Sequence, residues 1–160
     1  MRDEDQAVGA RRENMAAEGG ARPDLGRLLL RAHRDFGARA LANLRARGIA
    51  DLGLAHTALL VNLDPEGTSV TLLAEQAAMT KQAMGELALD LEQGGYVARA
   101  PDPSDRRVTI VTITAAGRHA LRAALEAKRE VEAEYAAAIG ARRLAALQEA
   151  LALLVDRPDG

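Results

Sequence analysis

The sequence predicts a mainly α-helical chain that carries one small β-hairpin. Three observations predict it. Ala and Leu dominate a hydrophobic fraction of 48%, while aromatic residues make up only 2%, and both Ala and Leu are strong helix formers. Apolar residues recur at helical spacing over most of the chain. Only one run, Val108-Thr109-Ile110-Val111-Thr112-Ile113, is rich in β-branched residues, and a polar segment separates it from a second strand-like stretch, Tyr96–Ala100. At 160 residues the chain suits a single unit with extensions.

The elements follow in order. Residues 1–22 mix both charges with Gly, Ala and Asn and show no apolar period, so a mobile N-terminal arm is expected there. Pro23-Asp24 opens a helix whose apolar positions include Leu25, Leu29, Ala32, Phe36 and Ala40, and Gly48 ends it. A second helix is expected over about 53–63, stopped by Asp64-Pro65-Glu66-Gly67. Thr68-Ser69-Val70 reads as a very short strand. Thr71 is the expected cap of a helix through Ala78, and Thr80 the expected cap of the next, 81–93, which Gly94-Gly95 stops. The hairpin occupies 96–113, with Pro101-Asp102-Pro103-Ser104-Asp105-Arg106 as its turn. Thr114 caps a long helix, about 115–138, in which Gly117, Leu121, Ala124, Val131, Tyr135 and Ala138 keep a seven-residue rhythm broken by Lys128. After Gly140 a last helix carries Leu144, Leu147, Leu151 and Leu154.

Composition removes several function classes. The chain has no cysteine, which excludes disulfides, thiolate metal sites and thiol redox sensing. Its three histidines are scattered without metal-ligand spacing, so neither a metal nor another cofactor is expected. No catalytic grouping or glycine-rich phosphate loop stands out, and the expectation is a protein that is not an enzyme. No apolar run approaches a membrane span, and the start Met1-Arg2-Asp3-Glu4-Asp5 does not resemble a signal peptide. A cytoplasmic protein with no membrane partner is expected. The formal net charge is −2, so nucleic-acid binding must rest on where the basic residues sit.

Residues 68–113 supply that placement. Short strand, helix, turn, helix and hairpin is the order of a winged helix-turn-helix, in which the second helix enters the major groove and the hairpin, or wing, reaches the neighbouring minor groove or backbone. The second helix begins Thr80-Lys81-Gln82. Gln can bond adenine through two atoms, Lys can reach a guanine edge or a phosphate, and a Thr hydroxyl can take either. Small Ala83 and Gly85 permit close approach. Glu86, Asp90 and Glu92 must face away from DNA for this placement to work. In the wing, Arg106 and Arg107 suit the negative potential of a narrow minor groove, and Asp105 can hold one of them by a charge-assisted hydrogen bond. His33, Phe36 and His56 are candidates to line a small-molecule pocket between the first two helices.

The run from Met79-Thr80-Lys81-Gln82-Ala83-Met84 through Leu91-Glu92-Gln93-Gly94-Gly95-Tyr96-Val97 resembles the recognition helix and following strand of MarR-family regulators. Pro101–Arg107 resembles that family's wing, with its Asp-x-Arg signature at Asp105 and Arg107, and Val111–Gly117 its exit from strand to helix. The resemblance is strongest over 68–120. It implies an obligate homodimer built from the terminal helices, here 23–47 and 115–157, within a unit spanning 23–160. It implies a palindromic double-stranded DNA operator and often a phenolic or anionic effector that releases the DNA. The expected function is therefore a sequence-specific transcriptional repressor. The sparse aromatics point to an aliphatic or polar effector, or to none. The alternative is a winged-helix module for protein interaction or dimerisation without DNA binding, which the acidic residues of the second helix favour.

Overall fold

The computed structural model describes residues 24–156, so the arm expected over 1–22 lies outside the described residues. The helices are α1 Leu25–Ala46, α2 Leu54–Val61, α3 Val70–Gln76, α4 Lys81–Gln93, α5 Ala115–Ile139 and α6 Ala141–Val155. The strands are β1 Thr68–Ser69, β2 Val97–Pro101 and β3 Thr109–Ile113. They form one antiparallel sheet in the order β1-β3-β2, with Thr68 opposite Val111 and Arg99 opposite Val111 on the other side. The prediction of a mainly helical chain with a small hairpin wing holds, and β1 adds a third strand to that hairpin.

The chain divides between Arg34 and Asp35 into two compact units. In the described part of the first, the Asp24 carboxylate accepts the Arg27 amide at 3.0 Å and opens α1, as Pro23-Asp24 suggests. Leu25, Leu28, Leu29 and Leu30 are exposed there.

The second unit is built around one apolar core. Leu44, Leu59, Leu60, Leu73, Met84, Leu91 and Val111 are each almost completely buried and belong to a single cluster drawn from α1 to α5 and the sheet. Helices α1 and α2 approach closely because Gly37 has no side chain. A Cβ there would lie 2.6 Å from a methyl of Leu54. Polar ties join α1 and the residue just after it, Arg47, to α5. Arg39 bridges Asp35 and Glu134, Arg47 pairs with Glu130, and the Tyr135 hydroxyl donates to Asp35 at 2.7 Å. Helix α6 has no buried residue, and Leu147, Leu153, Leu154 and Val155 are exposed.

One expected cap moves. Helix α3 begins at Val70, and its cap is Ser69, whose hydroxyl accepts the Leu72 amide at 3.1 Å. Thr71 lies inside the helix. Thr68, two residues earlier than Val70, is held in the sheet and by the Asp64 loop, which leaves Ser69 in the extended conformation that a cap requires. Thr80 and Thr114 cap α4 and α5 as expected.

Candidate nucleic-acid interface

The turn between α3 and α4 sets the recognition helix. Ala77 and Met79 donate back to Leu73 and Ala74, and Ala78 adopts φ of 50°, a left-handed backbone that disfavours an L side chain. The chain then emerges at Thr80, whose hydroxyl accepts the Ala83 amide at 3.1 Å. Met84, Ala88 and Leu91 bury one face of α4 in the core. The opposite face is thereby fixed outward. Thr80, Lys81 and Gln82 are exposed at its start, and Ala83 and Gly85 are half-buried beside them. A Cβ added at Gly85 would meet nothing within 4 Å. This protein's own packing therefore gives no reason for a glycine there, although glycine weakens a helix.

The acidic residues of α4 divide. Glu92 turns onto β2, where it binds Arg99. Asp90 lies beside α2, 3.8 Å from the His56 ring nitrogen Nε2. Glu86 stays on the exposed side and accepts from Gln82 Nε2 at 3.2 Å. Glu92 is thus drawn onto the protein, Asp90 stays exposed beside α2, and Glu86 occupies Gln82.

The wing is internally braced. The Asp102 amide donates to the Val108 carbonyl at 2.8 Å, closing the loop across the hairpin. The Asp102 carboxylate accepts the Ser104 hydroxyl and the Ser104 and Asp105 amides, and these contacts hold its carboxyl below the usual carboxylate range. Asp105 grips Arg107 with both oxygens, each 3.0 Å from a guanidinium nitrogen. That guanidinium depresses the Asp105 carboxyl in turn. Of the two arginines it is Arg107 that is held, yet its side chain remains 90% exposed. Arg106 is exposed beside it.

At the wing's base, the Thr114 hydroxyl donates to Gly95 and Tyr96 carbonyls and accepts the Gly117 amide. A Cβ at Gly117 would fall 2.0 Å from the Tyr96 carbonyl, so glycine is obligatory at this crossing. Tyr96 donates to Asp51 at 2.8 Å, and burial, with help from that carboxylate, pushes its hydroxyl up to about 12.

The three effector candidates have different surroundings. His33 is exposed in the first unit. Phe36 meets the edge of Tyr135, with ring centroids 6.0 Å apart. His56 accepts the Gly53 amide on Nδ1 at 3.1 Å, and its buried Nε2 has no hydrogen-bond partner among the described residues. A separate apolar recess of about 10 Å³, lined by Leu41, Leu44, Leu54, Thr57, Ala124 and Lys128 among others, involves neither Phe36 nor His56. It has room for about one water.

The Asp102 brace and the Glu92–Arg99 contact were not read from the sequence. The first has a local signal, since Asp two residues before Ser is an Asx-turn pattern. The second has none, because its partners lie seven residues apart across a helix end and a strand.

A braced hairpin and an outward-facing helix start on one core define a winged helix-turn-helix protein. The MarR family model matches residues 50–108, which covers the helix start, β2 and the wing loop but ends before β3. The chain is 35% identical over 72 residues to the transcriptional regulator HosA of Escherichia coli O111:H-, an alignment covering 45% of this chain and 53% of that relative. It thus spans about half the length of the curated relative. A MarR family protein of Mycobacterium tuberculosis, Rv2887, solved in complex with p-aminosalicylic acid, is 30% identical, with a TM-score of 0.64 over 83% of this chain and 99% of its own. CouR of Rhodococcus jostii RHA1, described as a transcriptional repressor and solved on a 23-mer DNA duplex, is 26% identical, with a TM-score of 0.72 over 82% and 92%. The chain belongs to the MarR family of transcriptional regulators. None of its described helices is long and apolar enough to cross a membrane.

Proposed function

We propose that the protein is a sequence-specific DNA-binding repressor that acts as a homodimer on a palindromic operator and is released by a small-molecule effector. The observation that carries this reading is the pairing, on one rigid core, of an exposed Thr80-Lys81-Gln82 helix start with an exposed Arg107 that Asp105 orients. Thr80, Lys81, Gln82, Ala83 and Gly85 meet the major groove, while Arg106 and Arg107, the latter held by Asp105, take the minor groove. The DNA complex of CouR supports DNA binding by a chain of this fold. The dimer is formed by the terminal helices, whose apolar side chains at Leu25, Leu28, Leu29, Leu147, Leu153 and Leu154 are exposed in the single chain. The p-aminosalicylic acid complex of Rv2887 supports an effector that carries a carboxylate. His33, Phe36 and His56 remain its candidate contacts.

Fluorescence anisotropy tests the reading. The duplex upstream of the protein's own gene is compared with a scrambled duplex over a salt series. Tight, salt-sensitive binding that prefers the native duplex is expected. Absence of binding to either duplex at low salt would instead support a protein-interaction module.

A further inference from the structure

We infer that Glu92 and Arg99 form a clamp that fixes the angle between the recognition helix and the wing. Glu92 is then a positioning residue for DNA specificity, although it is an acid on a DNA-binding helix; this rests on the reading above. Among the described residues, strand β2 is an edge strand of the sheet. Its Arg99 amide donates off that edge to Glu92 Oε1 at 3.2 Å, while Arg99 Nε and Nη2 reach Glu92 Oε2 at 2.9 and 2.8 Å. One carboxylate therefore stitches backbone and side chain of the wing strand to the last turn of α4. Local physics argues against an acid at this position. The carboxyl end of a helix carries partial negative charge, and the helix faces phosphates. A residue that breaks a local rule signals a role elsewhere. Two residues beyond Arg99, β2 ends at Pro101 and the chain enters the loop that bears Arg107. Fixing β2 at Arg99 therefore fixes how far Arg107 stands from Thr80–Gln82, so both grooves are met without ordering the wing on binding.

The test uses the full chain with Glu92→Ala, Glu92→Gln and Arg99→Ala. The probes are a duplex selected by the unaltered protein from a randomised pool of about 30 base pairs, long enough for two half-sites, and a shuffled duplex. Charge alone predicts that Glu92→Ala tightens binding, because it removes a negative group. The clamp predicts the opposite sign: about tenfold or more weaker binding to the selected duplex, none of it on the shuffled one, and faster amide hydrogen exchange at Arg99 and over 102–108. Arg99→Ala should reproduce this, and the double variant should add nothing further. Equal or tighter binding by Glu92→Ala overturns the clamp. So does equal loss on both duplexes for Arg99→Ala with a salt slope reduced by about one, which marks a phosphate contact. If Glu92→Ala does not fold, Glu92→Gln, which keeps the amide acceptor but loses the charge, carries the same comparison. If the unaltered protein prefers no duplex, the regulatory reading fails by itself, and hydrogen exchange alone decides the clamp: unchanged exchange in Glu92→Ala overturns it.

Discussion

Arg107 and Gly85 make opposite demands on the molecule. Arg107 is mostly solvent-exposed and contributes little to folding, so Arg107→Ala should leave the melting temperature almost unchanged. It should weaken the selected duplex more than a random one, because a held guanidinium reads groove shape as well as charge. Anisotropy on both duplexes checks this, and equal loss would make Arg107 a phosphate contact only. Gly85→Ala should stabilise α4 by about 0.5–1 kcal/mol, since glycine costs a helix that much and the added methyl meets nothing. The same methyl should weaken DNA binding if the helix approaches DNA at this point, and a melting curve with a binding curve tests both signs. Asp105 supplies a pH dependence. Its carboxyl is depressed by Arg107, so the ordered wing is complete above the usual carboxylate range and is lost as pH falls through the lowered value. The carboxyl carbon shift of Asp105 followed by NMR would report it. Tyr96 has the reverse sign. Raised to about 12, it stabilises the fold fully below its ordinary value of about 10, and that contribution is lost as pH rises through about 12. Phenolate absorbance, with only two tyrosines in the chain, measures this directly. In Asp51→Asn the value should fall but stay raised, because burial is the larger cause.

The α3–turn–α4 element shows which local signals are readable. Thr80 and Thr114 could be assigned as caps because each precedes a helical apolar pattern and each does cap. Thr71 could not be separated from Ser69 in the same way. Both are good capping types, and the choice fell to pairing of Thr68 with Val111, a contact between residues far apart in sequence. Thr80→Ala should destabilise the domain by about 1 kcal/mol through the lost bond to Ala83, measurable by chemical denaturation. At Ala78 the backbone takes a conformation that costs an L-residue about 1 kcal/mol or more, and no local signal marks it because alanine ordinarily favours helix. Ala78→Gly should therefore raise stability by up to about 1 kcal/mol, less glycine's own entropic cost. A lower denaturation midpoint in that variant would show that the turn is not strained.

In the whole molecule, a net charge of −2 coexists with a proposed DNA-binding face because charge is sorted by position. Glu92 is held on β2 and Asp90, though exposed, stands beside His56, which leaves Glu86 as the acid near Lys81 at the start of α4, while Arg106 and Arg107 stand in solvent on the wing. The apolar surface is sorted as well. Helix α6 has no fully buried residue and exposes several large aliphatic side chains, which monomers rarely tolerate as a contiguous patch. Light scattering at micromolar concentration should therefore give a dimer. A folded monomer would remove the model of two half-sites read by two wings. Leu60, wholly buried in the core, provides a contrasting case: Leu60→Ala should cost about 2–5 kcal/mol in unfolding experiments.

The order of helices, the hairpin and its Asp105-Arg107 signature were determined by the sequence alone, because period, capping and turn chemistry act over a few residues. The same holds for the outward start of α4, which follows once Met84 and Leu91 are recognised as part of its inner face, a face that the structure completes with Ala88. What only the tertiary structure decided are contacts whose partners no local rule joins: the hold of Glu92 on Arg99, the approach of α1 to α2 at Gly37, the crossing at Gly117, and the turning of Asp90 toward His56. Each depends on how elements stack once the core closes. A carboxylate's role is then set by which guanidinium or imidazole the packing brings beside it, and the sequence fixes only that such a carboxylate is present.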